Sequence, residues 1–285
     1  MPVEDLTSRK EVASLLRSAG VHPSKRLGQN FLVDRTVLDA ILAEVKRAAP
    51  REILEIGAGL GTVTCELARI APRVVAVEVD RRLVQILERT VGSLKSVEIQ
   101  RQDFLSFNFA TAFDDRRTFV VGNIPYRITA PILKHLVEHR DAIADALLLT
   151  QSEVAEKIAA SPGPDGTALG IFVQAYADVR VIKRVSKRSF HPIPEVDSTL
   201  WRLSFLKKPR FSADPDNFFA VVRALYGKRR KMIRSALRDL LPIERIADVL
   251  NTAGIDPTAR GEGLTFQQLD RLALAITPFQ HSPSL

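Results

Sequence analysis

The sequence predicts an α/β fold: a mostly parallel seven-stranded sheet with an antiparallel hairpin at its edge, followed by a small all-helical C-terminal domain. Three patterns carry that reading. From residue 52 to residue 150 short apolar strands alternate with helical stretches, the mark of a parallel sheet covered by helices on both faces. Two more strand-like segments then follow without a crossover helix between them, which suits an antiparallel pair. Beyond residue 208 every periodic segment has helical spacing.

Taken in order, residues 8 to 19 place Val12, Leu15, Leu16 and Ala19 at helical spacing, and Thr36 to Arg47 repeat the pattern. Ile53 to Ile56 is the first strand and Thr62 to Ile70 the helix after it. Arg73 to Asp80 is the second strand, and Arg81 to Thr90 a helix turning Leu83, Ile86 and Leu87 inward. Val97 to Ile99, Phe119 to Gly122 and Ala146 to Thr150 supply three more strands, with a helix over Pro131 to His139. Ser161 to Gly166 is a turn-rich loop. Val179 to Val185 and Thr199 to Phe205 form the edge hairpin, joined through Phe190-His191-Pro192-Ile193-Pro194. Lys207-Lys208-Pro209 marks the domain boundary, giving residues 1–208, with a helical lead-in, and 209–285. Helices are expected over Phe218 to Leu225, Lys228 to Leu240, Ile243 to Asn251 and Phe266 to Ala275.

Composition narrows the class of protein. With 285 residues, 46% of them hydrophobic, the chain can build one large domain and a smaller one. One cysteine, Cys65, excludes an internal disulfide and fits a reducing compartment. Neither a signal peptide nor a run of eighteen apolar residues occurs, so a soluble, cytoplasmic protein with no membrane partner is expected, and a monomer. The net charge of +8 and pI of about 9.8 favour a polyanionic partner. Residues 207 to 285 hold 13 Lys/Arg against 8 Asp/Glu. Their densest patch is Lys228-Arg229-Arg230-Lys231, continued by Arg234 and Arg238 with no acid before Arg238. On a helix Lys231, Arg234 and Arg238 share a stripe while Met232, Ile233, Ala236 and Leu237 face inward. A charge run is commonly a solvated face; without a compensating acid, nucleic-acid contact is the stronger reading.

Two motifs carry chemistry. Glu55-Ile56-Gly57-Ala58-Gly59-Leu60-Gly61 falls where the first strand turns into a helix, and its glycines let the backbone approach a ligand. The third glycine comes four residues after the first, not the five of the dinucleotide fingerprint. That spacing disfavours a pyrophosphate and favours another adenosine cofactor. Glu78, ending the second strand, can take both ribose hydroxyls. Asp103, after the third, can accept from an adenine amine between Phe104 and Leu105. Either acid alone reads equally well as a helix cap; their order along successive strands favours a site. The second motif is Asn123-Ile124-Pro125-Tyr126, at the end of an apolar strand. The Asn123 oxygen and the Pro125 carbonyl can accept hydrogen bonds from an exocyclic amine, and the Tyr126 ring can stack on its base. By itself the tract reads more readily as a strand end running into a Pro-containing turn. His135 and His139 stand one helical turn apart, but no nearby acid or Cys completes a metal site, so they read as surface histidines and no metal is expected.

Together the Glu-x-Gly-x-Gly-x-Gly turn, Glu78, Asp103 and Asn-Ile-Pro-Tyr resemble the class I, Rossmann-like S-adenosylmethionine-dependent methyltransferases of adenine N6. More closely, the chain resembles the KsgA/RsmA ribosomal RNA adenine dimethyltransferases. Lys25-Arg26-Leu27-Gly28-Gln29-Asn30-Phe31-Leu32 matches that family's entry motif, Gln151 to Ala155 and Phe190 to Ser198 its later ones, and Arg229-Arg230-Lys231 and Arg260 to Phe266 its C-terminal signatures. The resemblance runs over residues 20 to 275. It implies S-adenosyl-L-methionine as cofactor, held by Asn30, Leu32, Gly57, Gly59, Glu78, Asp103 and Asn123. It implies catalysis at Asn123, Pro125 and Tyr126, and RNA contact through Lys228, Arg229, Arg230, Lys231 and Arg234. The implied substrate is small-subunit rRNA in the 30S particle, dimethylated on two adjacent adenosines of a hairpin near the 3′ end of 16S rRNA during subunit biogenesis. The chain departs from the pattern at Ile124, where Leu is frequent, at Arg127, where Asn is common, and at Ser152, where Lys is common. Erm-type 23S rRNA dimethyltransferases share Asn-Ile-Pro-Tyr and the Phe-x-Pro-x-Pro segment, and a non-catalytic nucleic-acid-binding relative shares the fold. Thr129-Ala130-Pro131 and the Arg-Arg-Lys segment are closer to the KsgA pattern, and an intact cofactor set separates the enzyme from the binding protein.

Overall fold

The computed structural model describes residues 6–113, 117–228 and 231–280. Their contacts divide into two compact units, residues 1–155 with 178–205, and residues 156–177 with 206–285.

The first unit begins with α1 (Arg9–Ser18), capped by the Ser8 side chain, and β1 (Phe31–Leu32). The seven-stranded sheet is built from β2 (Glu52–Ile56), β3 (Arg73–Glu78), β4 (Val97–Arg101), β5 (Thr118–Asn123), β6 (Ile143–Gln151), β7 (Ala177–Val185) and β9 (Ser198–Phe205). Its order is β4-β3-β2-β5-β6-β9-β7. The first five strands run parallel, and β9 pairs antiparallel with β6. Helices α2 (Arg35–Ala48), α3 (Thr62–Leu67), α4 (Arg81–Val91), α5 (Phe109–Ala112) and α6 (Thr129–Glu138) form the connections.

Burial follows from this topology. The inner strands β2, β3 and β5 are covered on both faces and read as apolar runs, buried at nearly every position, whereas the edge strand β4 has no buried residue. Val37, Leu38, Ile41, Leu42 and Val45 of α2 share one core with Ile53, Val74, Phe119, Val121, Leu147 and Leu149 of the sheet. Each fully buried side chain of this size contributes about 1.5–3 kcal/mol. Asp34 and Asp80 accept from the Thr36 and Arg82 amides, and so fix where α2 and α4 begin. Trp201 on β9 is fully buried and donates its indole N–H to Thr150 Oγ1 of β6 at 3.0 Å. This bond helps hold the antiparallel strand in register.

The segment joining β7 to β9 is more than a hairpin turn. Phe190–His191 forms β8 and pairs antiparallel with β1, with Phe31 opposite His191 and Leu32 opposite Phe190. Val33 N–H donates to the Ser189 carbonyl at 2.8 Å, and Ser189 Oγ to Asp34 Oδ2 at 2.7 Å. The His191–Pro192 peptide is cis.

The second unit holds α7 (Ser152–Ala159, shared at its start with the first unit), α8 (Ala168–Gln174), α9 (Pro215–Gly227), α10 (Ile233–Ala236), α11 (Ile243–Ala253) and α12 (Phe266–Gln280). No composition shift marks residues 156–177 as partners of the C-terminal helices. Gln174 nevertheless donates to the Ile158 and Ala160 carbonyls, and Phe172 and Tyr176 pack with Phe211 and Phe219.

The continuous helix expected over Lys228 to Leu240 is not formed. α9 ends at Gly227, and Met232 is extended (φ −62°, ψ 144°) in a bridge with Arg260, while Ile233 N–H donates to the Ala259 carbonyl. That pairing requires extended backbone at Met232, so the helix restarts only at Ile233. Ile233, Ala236 and Leu237 are buried as their spacing implied, and Met232 is half-buried. No helix among the described residues is long and apolar enough to cross a membrane.

Candidate active site

The carboxyl ends of β2, β3 and β5 open on a cavity of about 780 Å³, the usual ligand position in an open parallel sheet. On the glycine turn, Gly57 and Ala58 N–H both donate to the Val77 carbonyl of β3. Gly59 sits at φ +59°, where an L side chain is strained, and a Cβ there would stand 3.4 Å from the Phe31 ring. Its N–H donates to Glu78 Oε2 at 2.9 Å. Glu78 Oε1 accepts from Asp80 N–H at 2.9 Å. Burial raises the Glu78 carboxyl above the usual range, and these backbone donors oppose that rise.

Glu55, the first residue of the glycine motif, is a functional candidate that spacing alone does not assign. It is buried, it lines the cavity, and its Oε2 has no hydrogen-bond partner. Burial pushes its carboxyl up to about 8, reinforced by the neighbouring Glu78 charge. Asp103 is exposed and caps the turn Phe104–Ser106 by accepting from Leu105 N–H at 3.0 Å through Oδ1. Phe104 lines the cavity beside it; Leu105 does not, which corrects the expected wall.

Asn123 ends β5 and lines the same cavity. Its Nδ2 donates to the Asn30 carbonyl at 2.9 Å, which fixes the orientation of the amide. Oδ1 then remains as the acceptor, and no described residue donates to it. Asn30 itself donates to the Gly28 carbonyl at 3.2 Å. Leu32 is buried and also lines the cavity. Tyr126 is half-buried, and burial raises its phenol above the ordinary range. Its hydroxyl lies 3.4 Å from Ser198 Oγ.

The Pro125 carbonyl does not stand free as expected. It accepts from Ile128 N–H at 3.2 Å and from Thr129 Oγ1 at 3.3 Å, which commits its two lone pairs to the turn. Among the described residues no donor reaches the Ile124 carbonyl, immediately after Asn123. Arg127, which follows Tyr126, is exposed and lines the cavity.

The lip of the cavity comes from the entry motif. Gly28 N–H donates to the Lys25 carbonyl and Gln29 N–H to the Ser24 carbonyl, each at 3.2 Å. The Gln29 side chain closes the turn: Oε1 accepts from Ser24 N–H at 2.7 Å, and Nε2 donates to Asp80 Oδ2 at 2.9 Å. Nothing in the sequence pairs Gln29 with Asp80; the fold does. Arg82 beside Asp80 holds that carboxyl down at about 2.

His135 and His139 are half-buried, not surface residues. His135 Nε2 lies 3.2 Å from the Phe107 carbonyl, His139 Nδ1 lies 2.9 Å from the His135 carbonyl, and both rings pack on Phe109. Of the C-terminal cations, Lys231 and Arg234 are exposed, Lys228 is half-buried, and Arg229 and Arg230 lie outside the described residues. Lys228 does have a compensating acid: its Nζ meets Asp239 Oδ1 at 2.6 Å. Exposed pairs of this kind are worth at most about 1 kcal/mol.

A glycine turn bonded to an acid on the next strand, beside an oriented asparagine amide, defines an α/β methyltransferase site. Residues 22–277 match the ribosomal RNA adenine dimethylase family. The ribosomal RNA small subunit methyltransferase A of Moorella thermoacetica is 39% identical over 92% of this chain and 96% of its own. That of Clostridioides difficile is 34% identical over 96% and 98%. The chain therefore belongs to the ribosomal RNA adenine dimethylase family. Among solved structures, a dimethyladenosine transferase from Plasmodium falciparum shares the fold, with a TM-score of 0.76 at 23% identity over 87% of this chain and 97% of that one. The 23S rRNA methyltransferase ErmE gives 0.68 at 26% identity over 87% and 100%.

Proposed function

We propose that this protein transfers methyl groups from S-adenosylmethionine to adenine N6 of small-subunit ribosomal RNA, twice on each of two adjacent adenosines near the 3′ end of 16S rRNA. The oriented Asn123 amide carries the reading: its donor is committed to Asn30, and its acceptor is left over in the cavity that holds the glycine turn and Glu78. The small-subunit target is preferred to the large-subunit one because the relatives so named are 34% and 39% identical along nearly the whole chain, against 26% for ErmE.

The cavity suits the methyl donor. Gly59 leaves open the space that a Cβ would take, and Glu78 faces the turn with hydrogen-bond-accepting oxygens. The orphaned Oε2 of Glu55 fits a ligand that carries an amine. Glu78 and Asp103 would hold the ribose and adenine, with Asn30, Leu32 and Gly57 around them. When bound, the cofactor supplies an electrophilic methyl on a sulfonium; the N–C bond forms as the C–S bond breaks.

The chain's own part is to prepare a poor nucleophile. The exocyclic amine is deactivated because its lone pair is shared with the ring. Asn123 Oδ1 accepts one N–H, and the Ile124 carbonyl, part of a tertiary amide with Pro125, accepts the other. Accepting both favours a pyramidal nitrogen and directs its lone pair out of the ring plane. The proton leaves to solvent after attack, so no strong base is required. Tyr126 stacks on the base, offsetting the few kcal/mol of unstacking. Positioning of this kind can supply about 7–11 kcal/mol. Exposed Lys231 and Arg234, with Lys228, Arg229 and Arg230, would contact the RNA backbone.

The test is incorporation of labelled methyl into small-subunit particles that lack the modification, with large-subunit RNA alongside. Label in dimethyladenosine of the small-subunit RNA alone supports the reading. Label confined to large-subunit RNA, or none, refutes it.

A further inference from the structure

Lys25, Arg26 and Arg127 are exposed cations that line one cavity, and none makes a side-chain hydrogen bond or ion pair among the described residues. Elsewhere in the same unit Arg47, Arg69, Arg73, Arg82 and Arg202 each meet a carboxylate at 2.7 to 2.9 Å. The three cations also lie on touching segments. Gly28 packs so closely on Pro125 that a Cβ would stand 3.0 Å from the proline Cβ. The turn that carries Lys25 and Arg26 is thereby set against the tract that carries Arg127. Gln29 braces that turn against Asp80, so its cations are presented from a fixed loop. Three exposed apolar side chains line the same opening, Val79 at 53%, Ile128 at 38% and Ile193 at 54% exposure. The exposed acids that line it are Asp103, assigned above to the cofactor, and Glu195.

From this juxtaposition we infer that the catalytic unit has its own RNA grip: Lys25, Arg26 and Arg127 bind the phosphates flanking the target adenosine, while Ile128 and Ile193 contact the neighbouring unstacked bases. The inference rests on the functional reading above and adds to the C-terminal cations a second contact at the reacting nucleotide. Unpaired cations beside apolar side chains suit a polyanion whose bases are turned out. Arg127 is the sharpest member. It follows the stacking Tyr126 directly, and a guanidinium can hold a phosphate through two parallel hydrogen bonds. These residues position the substrate and take no part in bond making. Their loss therefore raises KM for RNA more than it lowers kcat.

The experiment uses the full chain, S-adenosylmethionine and undermodified small-subunit particles, with rates measured between about 50 and 300 mM KCl. The variants are Lys25→Gln/Arg26→Gln, Arg127→Gln, the triple variant and Arg127→Lys, and cofactor affinity is measured for each as the check on folding. The triple variant should raise KM for RNA at least about tenfold and reduce the slope of log(kcat/KM) against log[salt] by roughly 2 to 3. Arg127→Lys, which keeps the charge, should retain most of the slope. A triple variant that binds cofactor normally, with KM within about twofold and an unchanged slope, overturns the inference and leaves the functional reading intact. Failure of the unaltered protein to methylate the particles overturns both.

Discussion

Replacing Asn123 with Ala separates a catalytic amide from a structural one, because the structure sets two effects of different size. In the folded protein the change removes the donor to the Asn30 carbonyl. Leaving a partly buried carbonyl unpaired costs about 1–3 kcal/mol, and Asn30 is only half-buried. A domain with roughly 5–15 kcal/mol of stability stays folded after such a loss. In the transition state the change removes one of two acceptors on the reacting amine, and deletion of one preorganised hydrogen-bonding group costs about 2.7–4 kcal/mol, or 10²–10³ in kcat. The catalytic loss should therefore exceed the structural one. Single-turnover methyl transfer at saturating RNA and cofactor measures the first, and urea unfolding the second. Cofactor affinity should fall less than about tenfold, since the amide donor faces the chain itself. A kcat within about threefold of the unaltered protein would remove Asn123 from the mechanism. Asn123→Asp keeps an acceptor but offers no donor to Asn30, and it should lose both stability and rate.

Three further outcomes follow from the geometry. Gly28→Ala places a Cβ at φ +63° and 3.0 Å from Pro125 Cβ; it should cost about 1–2 kcal/mol in urea unfolding and lower kcat by up to about 10²-fold through displacement of the Asn-Ile-Pro-Tyr tract. Unchanged kcat with reduced stability would show that the entry turn does not position that tract. Glu78→Gln turns an amide NH₂ donor toward the Gly59 or Asp80 N–H, and calorimetry should find cofactor binding weaker by about 10- to 100-fold; affinity within twofold would dissociate Glu78 from the cofactor. For Glu55 the folded carboxyl is raised to about 8, so the folded state binds more protons than the unfolded one from about pH 4.5 to 8. Its contribution is complete below the unfolded value and is lost as pH rises through that window, by a few kcal/mol at most. Glu55→Gln should therefore flatten the fall in urea stability between about pH 5.5 and 8. An identical pH profile in the variant would show that Glu55 is ionised in the fold.

The site was legible in the sequence to the extent that short motifs carry their own geometry. Glu78 and Asn123 end β3 and β5 and Asp103 follows β4 closely, so strand order alone places them at one end of the sheet. The engagement of the Pro125 carbonyl is not legible, because the turn that uses its lone pairs is closed by Ile128 and Thr129, which local spacing does not show. The basic segment failed as a helix for a related reason. Its periodicity is sound from Ile233 onward, but Met232 bridges Arg260, twenty-eight positions away. Spacing alone leaves His135 and His139 solvated, because the Phe104–Phe113 aromatic cluster that packs on them lies on other elements.

By itself the sequence determined the alternating sheet, its antiparallel edge, the glycine turn and the acids that follow it, because periodicity and turn chemistry act over a few residues. Tertiary structure decided which polar groups remain available. Only folding sets Asn30 against Asn123, Gln29 against Asp80 and Lys228 against Asp239, and leaves Glu55 Oε2, Lys25, Arg26 and Arg127 without partners among the described residues. A hydrogen bond or ion pair depends on a few ångströms between residues far apart in the chain, 93 positions for Asn30 and Asn123, and sequence spacing carries no measure of that distance.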